Sequence, residues 1–185
     1  MKTENNALYI LRLTVTLLLI CAVVALALAG VNAITKDRIA AIQVEKTQKA
    51  IGEVLLGVTD VEEIAFTDES GLVSTVYKSE LGYAVEVTPT SGFSGAIKMM
   101  VGVSYDGKVL GISIISHAET AGLGAVAGAN SAKGQAFRDS FIGLFAPVSP
   151  NKDGGQADTI TGATITSRAI CDGVNAALAC VENLG

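Results

Sequence analysis

The chain has 185 residues, half of them hydrophobic, with 13 Lys and Arg against 18 Asp and Glu for a formal net charge of −5. That length suits one folded domain, and the lack of a basic field to neutralise phosphates argues against a nucleic-acid partner. One histidine and three scattered cysteines give no disulfide framework and no ligand set for a zinc or iron–sulfur centre.

The mean hydropathy, +0.49, is concentrated near the start. Leu13 to Val31 reads LTVTLLLICAVVALALAGV, without a charge and with two threonines. Roughly 19 residues at 1.5 Å each span about 28 Å, close to the hydrocarbon thickness of a bilayer. This predicts a transmembrane helix. A cleaved signal peptide ending at Val31-Asn32-Ala33 is the alternative, but the apolar run exceeds the usual h-region of about 7–15 residues. Cys21 follows Ile20 in mid-run, which does not suit a lipoprotein. Lys2 and Arg12 on one side are matched by Lys36 and Arg38 on the other, so charge does not set the orientation.

From Thr35 to about Glu53 the chain is rich in helix formers, with Ile39, Ile42, Lys46 and Ala50 at loosely helical spacing, and predicts a stalk. Short β-type segments follow at Val61–Phe66, Val73–Tyr77 and Tyr83–Thr88, the last alternating like a half-buried strand. Residues 97–104 and 109–116 flank Tyr105-Asp106-Gly107-Lys108. Asp-Gly at that place predicts a hairpin with a type I′ turn. A Gly-rich loop covers 117–130, too rich in glycine for a stable helix. Lys133–Leu144 predicts a helix with Phe137, Phe141 and Leu144 at helical spacing, the two aromatics reading as core rather than as cofactor stackers. Pro147–Asp158 is turn chemistry. Thr166–Val181 predicts a closing helix with an apolar stripe of Ile170, Val174, Ala177, Leu178 and Val181, capped by Thr166 or Ser167. Cys171 and Cys180 lie about 13 Å apart on that helix and read as buried small hydrophobes. The outline is a tail and transmembrane helix over 1–34, a helical stalk over 35–57, and a compact α+β domain over 58–185 with an antiparallel sheet and a C-terminal helix.

The chemistry-bearing stretch is Asp158-Thr159-Ile160-Thr161-Gly162-Ala163-Thr164-Ile165-Thr166-Ser167. It runs into a helix N-terminus, whose unpaired N–H groups and positive dipole end suit a phosphate. Gly162 and Ala163 let an anion approach, and Thr161, Thr164, Thr166 and Ser167 supply hydroxyls. Capping alone accounts for one or two of these hydroxyls, not for a set that begins so far upstream. His117, the only histidine, reads as a hydrogen-bonded structural group at a strand end, with proton donation as its functional alternative.

The run Asp158-x-x-Thr161-Gly162-Ala163-Thr164 resembles the flavinylation motif of FMN-binding domains, Asp-x-x-Ser/Thr-Gly-Ala-Thr, and Ile165-Thr166-Ser167 resembles its continuation. His117-x-Glu119-Thr120-x-Gly122-Leu123-Gly124 resembles a second signature of the family, with Ala121 where proline is usual. Motif resemblance covers about residues 92–181. One helix before such a domain, in so short a chain, resembles the G subunits of the Rnf ion-translocating electron-transport complexes. The C subunits of the sodium-pumping NADH:quinone reductases are the near relatives, with longer chains.

The resemblance implies an FMN joined through its phosphate to Thr164 by a flavin transferase. Asp158, Thr161, Gly162 and Ala163 would form the surface the transferase reads, with Asp158 meeting the metal that accompanies the flavin donor. Thr166 and Ser167 would open the helix that holds the phosphate, and Glu119, Thr120, Leu123 and Gly124 would lie along the isoalloxazine. It further implies an electron carrier with no turnover of its own, bound to other membrane subunits of a ferredoxin:NAD-type complex. The N-terminus would be cytoplasmic and the domain on the outer side of the cell membrane. A free-standing surface flavoprotein reductase, and a non-redox tethered module whose threonines only cap, are the competing readings.

Overall fold

The computed structural model describes residues 3–58 and 60–184; Met1, Lys2, Thr59 and Gly185 lie outside them. The chain divides into two compact units, Met1–Glu45 and Lys46–Gly185.

The first unit is helical. α1 runs from Thr3 to Val54, and from Leu8 to Val54 it is long and apolar enough to cross a membrane. Its apolar residues point out on every side, with Leu11, Leu18, Val24 and Leu28 all more than half exposed. A helix that is apolar all round needs an apolar surround. Three of its threonines are satisfied locally: Thr14, Thr16 and Thr35 each donate to the carbonyl four residues back, at 2.9, 2.8 and 2.9 Å. Backbone partners of this kind let a hydroxyl sit in hydrocarbon.

The second unit begins with the end of α1. Ala50, Ile51, Val54 and Leu55 are buried with Ala84 and Met100, so one face of the end of the segment assigned above to the stalk packs with the sheet. The helix stops at Leu56, a left-handed residue (φ 54), with the Gly57 N–H bonded to the Gly52 carbonyl at 2.8 Å, the six-to-one bond of a Schellman ending. Five antiparallel strands follow as a meander in sequence order: β1 (Glu62–Ile64), β2 (Val73–Lys78), β3 (Gly82–Val87), β4 (Lys98–Ser104) and β5 (Val109–Ser116). Gly102 of β4 faces Gly111 of β5, and a methyl on Gly102 would strike the Val54 carbonyl. That bare pair of glycines is the seat on which α1 ends.

Two sequence expectations for the sheet are corrected. β3 is buried at every residue rather than half-buried. Val85 and Val87 face the main core with α3, while Ala84 faces the end of α1. Glu86, buried on that face, pairs with Lys98, 3.0 Å away. The hairpin exists, but its turn is not type I′: Gly107 has φ 76 while Asp106 keeps a negative φ. The Gly107 N–H bonds to the Ser104 carbonyl and the Ser104 N–H to the Lys108 carbonyl, a three-residue loop with a glycine bulge. One positive φ suffices, and glycine takes it.

α2 spans Ala132–Asp139, capped by Ser131. It stops before Leu144, the predicted end, and Gly143 (φ 80) helps the chain turn. Phe137 and Phe141 are core residues, packed edge to face with centroids 5.3 Å apart. The loop before α2 contains a short 3-10 turn at Gly124–Gly128. α3 spans Thr164–Glu182 and lays Ile170, Val174, Ala177, Leu178 and Val181 against the sheet. Cys171 and Cys180 are buried and unpaired; burial, with Asp172 and Asp153 nearby, pushes the Cys171 thiol up to about 12.

Candidate functional site

Three connections converge at the N-terminus of α3: the β3–β4 loop, the β5–α2 loop and the segment before α3. Glu119 joins them. Its carboxylate is buried, 8% exposed, and accepts the Ser94 N–H at 2.9 Å through one oxygen and the Thr166 hydroxyl at 2.6 Å through the other. The fit around it is close. A methyl on Gly124 would strike Glu119 Oε2 and Thr166 Oγ1, and one on Gly92 would strike the Gly95 carbonyl. With one hydrogen bond on each oxygen, Glu119 ties the β3–β4 loop and the start of α3 to its own loop and acts as a connector.

Between these segments lies a cleft of about 310 Å³, within the size range of small-molecule sites. Glu119, Thr120, Leu123, Gly124, Gly162, Ala163, Thr164 and Thr166 border it, together with two residues that sequence reading missed, Phe93 and Ile165. Phe93, Leu123 and Ile165 give it an apolar rim, exposed by 68, 43 and 47%. Phe93 sits in Gly92-Phe93-Ser94-Gly95, and its only sequence signal is an aromatic among glycines and serine. The Thr120–Leu123 turn forms without the family's proline: the Leu123 N–H bonds to the Thr120 carbonyl at 3.1 Å, and Gly122 has φ 77, the position where a type II turn needs positive φ.

Thr164, not Thr166, opens α3, and the cap residue Ala163 supplies no side-chain bond. The capping role read for Thr166 and Ser167 is therefore corrected. Thr166 is committed to Glu119. Ser167 accepts the Ile160 N–H at 3.1 Å and donates to the Ala163 carbonyl, fastening the loop from inside. The Thr164 hydroxyl, half-buried, receives a bond from Lys152 Nζ at 3.4 Å. Lys152 belongs to a short 3-10 turn, Asn151–Asp153, and nothing in its spacing from Thr164 marks it in the sequence. Its neighbour Asp153 takes two bonds of 2.7 Å from the Arg168 guanidinium, which holds the Asp153 carboxyl below the usual carboxylate range.

Asp158 and Thr161 face elsewhere. With Gly122, Lys133 and Thr159 they border a neighbouring cleft of about 450 Å³. Asp158 Oδ1 accepts from Asn151 Nδ2 at 3.3 Å. The motif thus has two sides: Gly162 to Thr164 face the smaller cleft, Asp158 and Thr161 the larger. His117 accepts the Glu119 N–H through Nδ1 at 3.2 Å, the structural role. Among the described residues no cluster of His, Cys, Asp and Glu could hold a metal ion.

The smaller cleft suits a ring system that carries a phosphate: an apolar rim, and at one end a hydroxyl and a helix N-terminus. Residues 92–179 match the FMN-binding domain family, and residues 1–54 match the family described as RnfG N-terminal region. The G subunit of the Na(+)-translocating ferredoxin:NAD(+) oxidoreductase complex of Acetobacterium woodii is 32% identical over 206 aligned residues, covering 99% of this chain and 97% of its own. The G subunit of the ion-translocating oxidoreductase complex of Methanosarcina acetivorans is 33% identical, covering 91% and 93%. The G subunit of the proton-translocating ferredoxin:NAD(+) oxidoreductase complex of Clostridium ljungdahlii is 43% identical over 89 residues, 48% of each chain.

Proposed function

Because the chain belongs to the family of ion-translocating oxidoreductase complex G subunits, we propose that it relays electrons through an FMN esterified by its phosphate to Thr164. It is an electron-carrier subunit with an FMN-binding domain. It is a membrane protein and works beside the other subunits of its complex.

The flavin supplies the redox chemistry, and the protein supplies position and environment. Thr164 provides the oxygen that carries the phosphate. The position of that hydroxyl supports the reading: it borders the cleft at the first residue of α3. There the N–H groups of Thr164, Ile165 and Thr166 lack intrahelical acceptors and the dipole favours an anion. Phe93, Leu123 and Ile165 supply apolar contact, and Glu119 keeps the three segments in place. A flavin transferase makes the bond, reading Asp158 and Thr161 from their side of the motif. Family attachment occurs on the outer face of the membrane, so α1 crosses once, with the N-terminus cytoplasmic and the domain outside.

Co-expression of the full chain with a flavin transferase tests this. Intact mass should rise by one FMN less one water, with flavin fluorescence in denaturing gels. Thr164→Ala should stay unmodified. An unmodified wild-type chain, or a flavinylated Thr164→Ala chain, overturns the reading.

A further inference from the structure

Lys152 stands against electrostatic expectation. Cations are favoured at helix C-termini and disfavoured at N-termini, yet its ammonium lies 3.4 Å from the hydroxyl of the first residue of α3. Among the described residues it makes no ion pair; the pairs present are Lys49–Glu53, Lys98–Glu86 and Arg168–Asp153. The other nearby cation, Arg168, is already matched by Asp153. Two positive ends therefore meet at Thr164.

The placement is built. Asp153, next in sequence, is clamped to α3 by both guanidinium bonds. The Asn151 side chain accepts from the Thr159 hydroxyl at 2.6 Å, and the Asn151 N–H bonds to the Ala157 carbonyl at 2.7 Å. Farther along α3, Asn175 holds both backbone groups of Val148, at 2.7 and 2.8 Å. The turn that carries Lys152 is thus fastened to α3 at two levels and to its own return strand.

We propose that Lys152 is a phosphate-binding residue of this site, receiving the flavin's phosphate during attachment and remaining its counter-ion afterwards. The inference rests on attachment at Thr164 and adds a residue to it. In the attachment step Thr164 Oγ1 forms a bond to the flavin-side phosphorus of a flavin phosphoanhydride donor. The anhydride P–O bond breaks, the other phosphate half leaves, and the hydroxyl proton passes to a base of the transferase; no electrons are transferred. The Lys152 ammonium offsets charge on the phosphoryl oxygens as the bond forms, as a point charge rather than a bidentate fork. Once the ester is made, one negative charge remains between Lys152 and the N-terminal end of α3 and is matched by both.

The test follows the rate of flavin incorporation in the full chain on exposure to the transferase and its donor, by intact mass, for wild type, K152R, K152Q, K152E and T164A. Lys152 is exposed, and thermal unfolding should be unchanged across the Lys152 variants. K152Q should load at least about tenfold more slowly, the scale of one charge-assisted hydrogen bond. K152E should be slower still, and K152R should recover most of the rate. The wild-type rate should fall with added salt more steeply than that of K152Q. If wild type loads, T164A does not, and K152Q and K152E load at the wild-type rate, Lys152 has no such role while attachment at Thr164 stands. A wild-type chain that never loads, or a T164A chain that does, defeats the attachment itself.

Discussion

Replacing Glu119 by alanine should loosen the cleft from within. The change removes two hydrogen bonds to a buried carboxylate, from the Ser94 N–H and the Thr166 hydroxyl. Bonds to charged groups contribute about 1.5–3 kcal/mol each, so the gross loss is roughly 3–6 kcal/mol. The Thr166 hydroxyl, 1% exposed, can recover part of it by turning to a carbonyl in the preceding turn, which brings the net cost to about 3–4 kcal/mol. Glu119→Gln should cost only about 1–2 kcal/mol. Its amide oxygen can keep the Ser94 N–H while its NH₂ donates to Thr166 Oγ1, whose own proton must find another acceptor. Urea unfolding of the full chain in detergent, followed by near-ultraviolet circular dichroism, reads these values. With m near 2 kcal/mol/M, the midpoint should fall by about 1.5–2 M for alanine and about 0.5–1 M for glutamine, at constant m. A double-mutant cycle with Thr166→Val should show coupling of about 1–2 kcal/mol. A glutamine variant as unstable as the alanine variant, or an alanine midpoint within about 0.5 M of wild type, would refute the connector role.

Gly124→Ala should destabilise the same region by about 1–3 kcal/mol, because its methyl meets the two oxygens of the Glu119–Thr166 bond and something must shift; the same urea titration reads it, and a neutral result contradicts the packing. Asp68 gives a pH-dependent case. Burial pushes its carboxyl up, but the bonds from the Ser70 hydroxyl and the Val73, Ser70 and Gly71 backbone outweigh that and leave it below its ordinary value. A depressed folded pKa stabilises above the unfolded value near pH 4 and is lost as pH falls through the folded one. Asp68→Asn should therefore lower the melting temperature at pH 7, with the gap to wild type closing below about pH 4; a gap that is constant with pH contradicts it.

The parts of this structure that were legible in the sequence are those decided by residues close together. The apolar run of α1, the paired β4 and β5 segments and the stripe on α3 each bury a surface that short-range periodicity reveals. What was misread depends on partners far away. Thr166 and Ser167 look like caps, yet one serves Glu119, 47 residues back, and the other serves Ile160, so the helix starts two residues earlier than local preference suggests. β3 alternates in polarity, but Lys98 neutralises Glu86 and both faces can be covered. Lys152 reads as turn chemistry because its meaning arises only when the Asp153–Arg168 pair folds its turn onto α3.

What looks in the sequence like one continuous motif is divided by the fold. Gly162, with φ 79, is the point of division: a left-handed residue just before the helix lets the chain turn there, and an added Cβ would press on the Leu123 side chain at 3.0 Å. Before it, Asp158 and Thr161 are exposed and face the larger cleft. After it, Ala163 and Thr164 face the smaller one, beside the apolar rim. A residue modified by another protein and then used as a tether has two conflicting needs. It must be recognised from solvent, and its product must be held away from solvent. Distributing those needs over the two sides of a left-handed glycine meets both without moving the backbone. Under the proposed attachment, the aspartate upstream of the turn would be open to a transferase, while the threonine downstream, as the first residue of a helix, would have its phosphate held there.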